Sequence, residues 1–305
     1  MEVYYQGKDI TGYVQVRKCA VRDTSGERCD SLEIEFENAA AWFRWEPEED
    51  DKILVSLGGY DTGVMYVNTV LPEEGRYRIV ASALPCKARR KASRSYIGKT
   101  IEEIMRICAM ESSMDYQTFG IDEKAVIPYI QREDEGTARF LNRLLTLEGA
   151  ALKCVNGKYT AIGYLYAQER AAHQTISITA RQSGVEYRRN GETIRALTVR
   201  TPYAEARARD EAVASSHIHV ITNEYPAMNN IQAGRWARGL LLCKNRQCES
   251  VTIQSEFNAG FTAMTRIDFS GDTDATGEWM IDEAEHDLKN RTSTAKLSRC
   301  ITTIQ

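Results

Sequence analysis

Two stretches of this chain, far apart, repeat one another. LVSLGGYDTGVMYVNTV at 54–70, followed by RYRIVASAL at 76–84, has a counterpart in TRIDFSGDTDATGEWMIDEA at 265–284, followed by STAKLSRCI at 293–301. Thr62-Gly63 aligns with Thr276-Gly277, Met65 with Trp279, and Val67 with Ile281. Each set lies between two alternating stretches, so the repeated unit is a three-strand element, expected to close two separate β domains. If Ile53 to Leu84 and Arg266 to Ile301 are equivalent, their central strands turn the same face inward, because a slip of one residue exposes every core side chain.

Alternation also organises the rest of residues 1–85. Leu32, Ile34 and Phe36 against Glu33, Glu35 and Glu37 is the cleanest case, and Ile53, Val55 and Leu57 continue it. Gly58-Gly59, Asp61 and Glu74-Gly75 supply turns, and Pro85 ends the run. Residues 86–166 change character. Thr100 to Glu103 reads as a capping box opening a helix over about 100–112. Phe140, Leu141, Leu144 and Leu145 mark a second helix, capped at Gly149, and Asn156-Gly157 turns a hairpin between 151–155 and 158–162. In 167–305 strands return, interrupted by one helix over about 230–243 that Gly234 and Gly239 weaken. Residues 181–192 and 205–216 read as polar loops. The predicted fold class is mostly β with an α+β insertion: two tube-like β-barrel domains, 1–85 and 167–305, the latter with an inserted helix, separated by a small α+β domain at 86–166.

With 305 residues, 43% hydrophobic and 27% charged, the chain has material for about two globular domains. A net charge of −4 provides no global basic field, so nucleic acid is not the expected ligand. The first twenty residues lack the apolar core of a signal peptide, and no window approaches a membrane span. Synthesis in the cytoplasm is the expectation. Most of the eight dispersed cysteines read as reduced, buried residues; Cys243 and Cys248 have no nearby Cys or His pair to complete a zinc site.

Chemistry is sparse. Of four histidines, His217 and His219 share a face if they lie on a strand, but lack a third ligand, and His286 reads as a hydrogen-bonded structural residue. The acidic run Glu46-Pro47-Glu48-Glu49-Asp50-Asp51 suits a solvated loop better than a paired-acid glycosidase. Nucleophile-elbow, phosphate-loop and zincin motifs are missing. The expectation is therefore no catalytic, cofactor or metal site. Lys87, Arg89, Arg90, Lys91 and Arg94 form one basic patch, either a contact for DNA or an acidic protein or a solvated linker. Trp42, Phe43 and Trp45 offer an aromatic anchor at a subunit contact, or pack on their own barrel.

The order of these features resembles the late-control protein D-like family of phage baseplate hubs, related to the hub part of type VI secretion spike proteins. The resemblance runs from Asp9-Ile10-Thr11 and the Leu32-Ile34-Phe36 strand through Gly98-Lys99-Thr100, Ile101 and Ile104 to Gln131, Glu133-Asp134-Glu135, Phe140-Leu141 and Arg143-Leu144. It continues with Glu148-Gly149, Asn156-Gly157-Lys158, Trp279, Ile281, His286, Leu288 and Thr294, and fails over 203–250. It implies a structural, non-enzymatic homotrimer in a virion tail or injection particle, whose six barrels surround a channel and join a sixfold tube to a threefold spike. The implied partners are the tail tube protein, a separate central spike protein, and the tape measure and baseplate wedge proteins. The alternative is a tail-associated peptidoglycan hydrolase, which needs a deep cleft with paired acids or a Cys/His pair.

Overall fold

A computed structural model describes residues 1–26, 28–37, 46–179 and 184–304. The first part holds β1 (Glu2–Tyr5), β2 (Lys8–Asp9), β3 (Val16–Thr24), β4 (Ser31–Phe36), β5 (Lys52–Leu57), β6 (Tyr60–Asp61), β7 (Met65–Glu73) and β8 (Arg76–Ser82). The middle holds α1 (Cys86–Arg89), β9 (Ala92–Thr100), α2 (Ile101–Ser112), β10 (Asp115–Phe119), β11 (Val126–Glu135), α3 (Thr137–Leu147), β12 (Ala150–Val155), β13 (Lys158–Gly163) and α4 (Tyr164–Glu169). The last part holds β14 (Gln174–Ser177), β15 (Val185–Arg189), β16 (Ala196–Arg200), β17 (Glu205–Arg209), β18 (Ile218–Thr222), α5 (Asn230–Arg246), β19 (Glu249–Glu256), β20 (Arg266–Ser270), β21 (Gly277–Asp287) and β22 (Thr292–Arg299).

The fold is mostly β, as the alternation implies. Its main sheet runs β15-β19-β22-β21-β3-β4-β8-β7-β5-β1-β2, with β20 beside β21 and β14 beside β20. Each half contributes the same series: β3-β4-β8-β7-β5 in the first matches β15-β19-β22-β21-β20 in the second. The halves join where Ala20–Thr24 of β3 pairs antiparallel with Glu283–Asp287 of β21. Among the described residues the ladder does not close on itself, and it branches at this junction, where β21 pairs with β20 as well as with β22 and β3.

The repeat holds residue by residue. Ile53 pairs with Met65, and Ile267 with Trp279. Val67 pairs with Ala81, and Ile281 with Leu297. A β-bulge then follows in both, between Val67 and Thr69 and between Ile281 and Glu283. All eight of these paired residues are buried, so both units turn the same face inward. Each motif glycine is required where it stands: Gly63 and Gly277 have φ of 68° and 126°. A Cβ would meet Asn156 Oδ1 at 2.7 Å in the first and Arg299 Nη1 at 2.6 Å in the second.

Local signals set the middle elements. The Glu103 amide donates to Thr100 Oγ1 at 3.1 Å, and the Thr100 amide donates to Glu103 Oε2 at 2.9 Å, completing the capping box of α2. Asn156 and Gly157, with φ of 50° and 70°, turn the β12–β13 hairpin. Two polar stretches read as loops are instead partly strands. β15 is anchored by half-buried Val185 and Tyr187 against β19, and β17 by Ala206 and Ala208 against β16. Their polar residues face outward, and small or isolated apolar residues hid the inner face. The linker reading of 87–94 is likewise replaced by α1 and the start of β9.

Between β15 and β19, central β16 pairs with β17 and β18, and α5 covers this small sheet. Trp236, Leu241, Leu197 and Val199 form its core. Gly239, which weakened the helix in sequence, is where α5 crosses the end of α3: a Cβ there would lie 2.3 Å from the Leu147 carbonyl.

Candidate assembly interface

The outward face of the main sheet is polar and charged because every second residue on its strands must point away from the core. On β3, β4, β8, β21 and β22 these residues include Lys18, Arg22, Glu33, Glu35, Arg78, Glu283, Glu285 and Lys296. They neutralise one another across strands: Lys18 with Glu33 at 2.9 Å, Arg78 with Glu33 at 3.6 Å, Arg17 with Glu35 at 3.4 Å and Lys296 with Glu283 at 3.5 Å. The hydrogen bond from Lys18 holds the Glu33 carboxyl below its ordinary pKa. Arg22 bridges the junction between halves, reaching Glu283 at 3.1 Å and also Glu285. The result is a surface of paired charges spanning both repeats.

Behind the junction lies His286. The Phe261 carbonyl only accepts, so His286 Nε2 donates to it at 2.9 Å, and Nδ1 accepts from the Ser293 hydroxyl at 2.8 Å. Tyr60 of the first half and Phe257 pack on its ring, with centroids 4.6 and 5.6 Å away. Burial lowers its pKa, opposed by the hydrogen bond to Phe261 and by Asp23. This is the structural role expected from sequence.

Ion pairs missed by sequence reading fix the other parts to the sheet. Lys153 of β12 reaches Asp23 and, at 3.1 Å, Asp30, all three largely buried. Burial, with Asp23 adding, pushes Asp30 up to about 6 although Lys153 opposes it; the two carboxylates keep Lys153 protonated against its own burial. Arg246 of α5 reaches Asp282 of β21 at 2.8 Å and stacks on Tyr164, 4.0 Å from the ring centroid. Glu148 accepts from Trp236 Nε1 and Arg235 Nε, each at 2.9 Å, joining α3 to α5. A charge standing inside an otherwise alternating strand, as at Asp23 and Lys153, is the only trace these pairs leave in sequence.

The basic patch is exposed but largely engaged. Lys87 donates to Ser113 at 3.1 Å, Arg89 pairs with Glu49 at 2.9 Å, Lys91 with Asp134 at 3.3 Å, and Arg94 with Glu111. Arg90 is exposed beside them. Trp42, Phe43 and Trp45 lie outside the described residues. His217 is exposed and His219 half-buried at the start of β18, and no group of three metal-ligating side chains occurs among the described residues. No described helix is long and apolar enough to cross a membrane.

By sequence, neither a family model nor a characterised protein matches the chain. Solved structures do match. The 43 kDa tail protein of prophage MuSo2 from Shewanella oneidensis has 14% identity and a TM-score of 0.69 over 99% of both chains. A tail protein from Neisseria meningitidis has 9% identity and a TM-score of 0.72, covering 98% of this chain and 95% of that one. An Escherichia coli type VI secretion component, described as structurally similar to bacteriophage T4 tail proteins, has 12% identity and a TM-score of 0.62, covering 99% of this chain and 77% of that one. Over 98–99% of its length, the chain has the fold of these phage tail proteins and of this secretion component.

Proposed function

We propose that this chain is a structural hub subunit of a phage tail or related injection particle, acting without catalysis as a homotrimer. The observation that carries the reading is the repeated unit, equivalent in register, buried face and bulge, within one sheet. Two such units per chain give six in a trimer, so a threefold ring presents near-sixfold symmetry, with the units about 60° apart around the axis. One side then meets a sixfold tail tube and the other a threefold spike. The charge-balanced outward face of the sheet suits the lining of a channel, which stays wet without gripping cargo of either sign. Tape measure and wedge proteins are the further partners of such a hub. Lys87, Arg89, Arg90, Lys91 and Arg94, with Trp42 and Trp45, are candidate contacts to them.

Electron microscopy of the assembled particle tests this. Three copies per ring, with the two sheet halves alternating around a channel, is the expected image. Six copies in one ring, or a single copy, would refute it. Soluble fragments released from peptidoglycan by the purified chain would favour the hydrolase instead.

A further inference from the structure

At one end of the β16–β18 unit the loops 201–205 and 223–231 are laced together. Thr201 Oγ1 donates to the Ala227 carbonyl at 2.7 Å, and Asn230 Oδ1 accepts from the Glu205 amide at 3.0 Å. Asn229 caps α5 through the Gln232 amide at 2.9 Å. This lacing holds three large apolar side chains out in solvent: Tyr203 is 68% exposed, Met228 38% and Ile231 77%. Ordered backbone beneath exposed aromatic and aliphatic groups is the arrangement of a preorganised contact, since little freedom is lost on binding. Behind this knob, Arg207, Arg235 and Arg238 line the same cleft as Ile231, with Glu148 neutralising Arg235. Residues 190–248 carry eight Arg and Lys against five Asp and Glu, a surplus of three positive charges; with the whole chain at −4, the remainder stands at −7.

A surface of matching character lies on the first part of the chain. A depression of about 430 Å³ on the outer side of β1 and β5 is lined by Tyr4, Leu54 and Val64 together with the charged Glu2, Asp61 and Lys52, two carboxylates to one ammonium. Tyr4 donates to Glu2 at 3.0 Å. That hydrogen bond and the charge of Glu2, with Asp9 and Asp61 adding, raise the pKa of the Tyr4 hydroxyl, the mark of an acidic setting.

We infer that the Tyr203–Met228–Ile231 knob of one copy docks in the Tyr4–Leu54–Val64 depression of the next copy of this chain. An apolar projection backed by arginines complements a hollow of apolar side chains whose charged lining is net acidic. The two surfaces differ, so the contact is head-to-tail, the kind that closes a ring when its rotation allows. The inference rests on the homotrimer proposed above and names the contact that builds it.

Sedimentation of the full chain, as wild type, Ile231→Asp and Leu54→Asp, tests it, with Glu2→Arg as a milder change in the hollow and circular dichroism to verify folding. Each substitution is expected to weaken self-association at least tenfold. An equimolar mixture of the Ile231 and Leu54 variants is expected to stop at dimers, because each retains one intact surface. A wild-type trimer that Ile231→Asp leaves unchanged overturns this contact and leaves the hub reading standing. So does loss on Ile231→Asp with none in either hollow variant. A wild type that sediments as one or two copies at every concentration overturns both.

Discussion

Replacing Lys153 by Met removes the ammonium from between Asp23 and Asp30 while keeping the length and apolar stem of the side chain. Asp23 is 6% and Asp30 4% exposed, so water does not take over the lost interaction. Removing one partner of a buried ion pair costs about 3–5 kcal/mol, because a charge remains without compensation. The pH dependence follows from Asp30, whose pKa in the folded chain is raised to about 6 from 3.8. Between those values the folded state holds a proton that the unfolded state lacks, so stability falls as pH rises through the window. Without Lys153 the charged carboxylate is harder to keep. The variant's deficit is therefore largest above pH 6 and shrinks toward pH 5, where Asp30 is protonated. Urea denaturation followed by tryptophan fluorescence, at pH 7.5 and pH 5, measures both. Adding Asp30→Asn should recover part of the loss, since Oδ1 still accepts from the Thr24 amide, now at 2.8 Å. A deficit under about 1 kcal/mol, or one that acid does not reduce, sinks the argument that this triad holds the middle unit to the sheet.

Burial lowers the pKa of His286 below 6.5, so between the two values the unfolded state binds the extra proton and stability is lost as pH falls. Thermal melts from pH 8 to 5 should show this slope, and His286→Gln should flatten it at the expense of stability. Met65→Ala and Trp279→Ala, at equivalent places in the repeat, should each cost about 2–5 kcal/mol in denaturant titrations; a negligible cost at either site contradicts the shared inward face. On α5, Gly234→Ala meets nothing nearer than Ala206 Cβ at 3.8 Å and should stabilise by up to about 1 kcal/mol. Gly239→Ala meets the Leu147 carbonyl and should destabilise; equal melting temperatures for the two variants would remove the tight helix crossing as the reason for that glycine.

Much of the architecture was legible because its signals are local or duplicated. The capping box at Thr100 and Glu103 and the Asn156-Gly157 turn act between residues a few positions apart, so sequence alone set them. The Leu32-Ile34-Phe36 alternation fixes which face of β4 is buried. The repeat even set register, because a matched Thr-Gly and the inward Met65 and Trp279 leave one consistent alignment. Tertiary structure alone decided how these parts join. Ala20–Thr24 meets Glu283–Asp287 through backbone amides and carbonyls, which every residue carries, so no side-chain pattern announces the pairing. Of the β16–β18 sheet, the central strand is legible over 194–201, but β17 lay hidden in a polar stretch, because Ala206 and Ala208, although they alternate with Glu205, Arg207 and Arg209, are too short to announce an apolar face. Arg22 with Glu283, Lys153 with Asp23 and Asp30, and Gly239 beneath Leu147 were equally hidden. Which of many charges become partners, and which glycine must stay bare, depends on distances that exist only once the chain has folded.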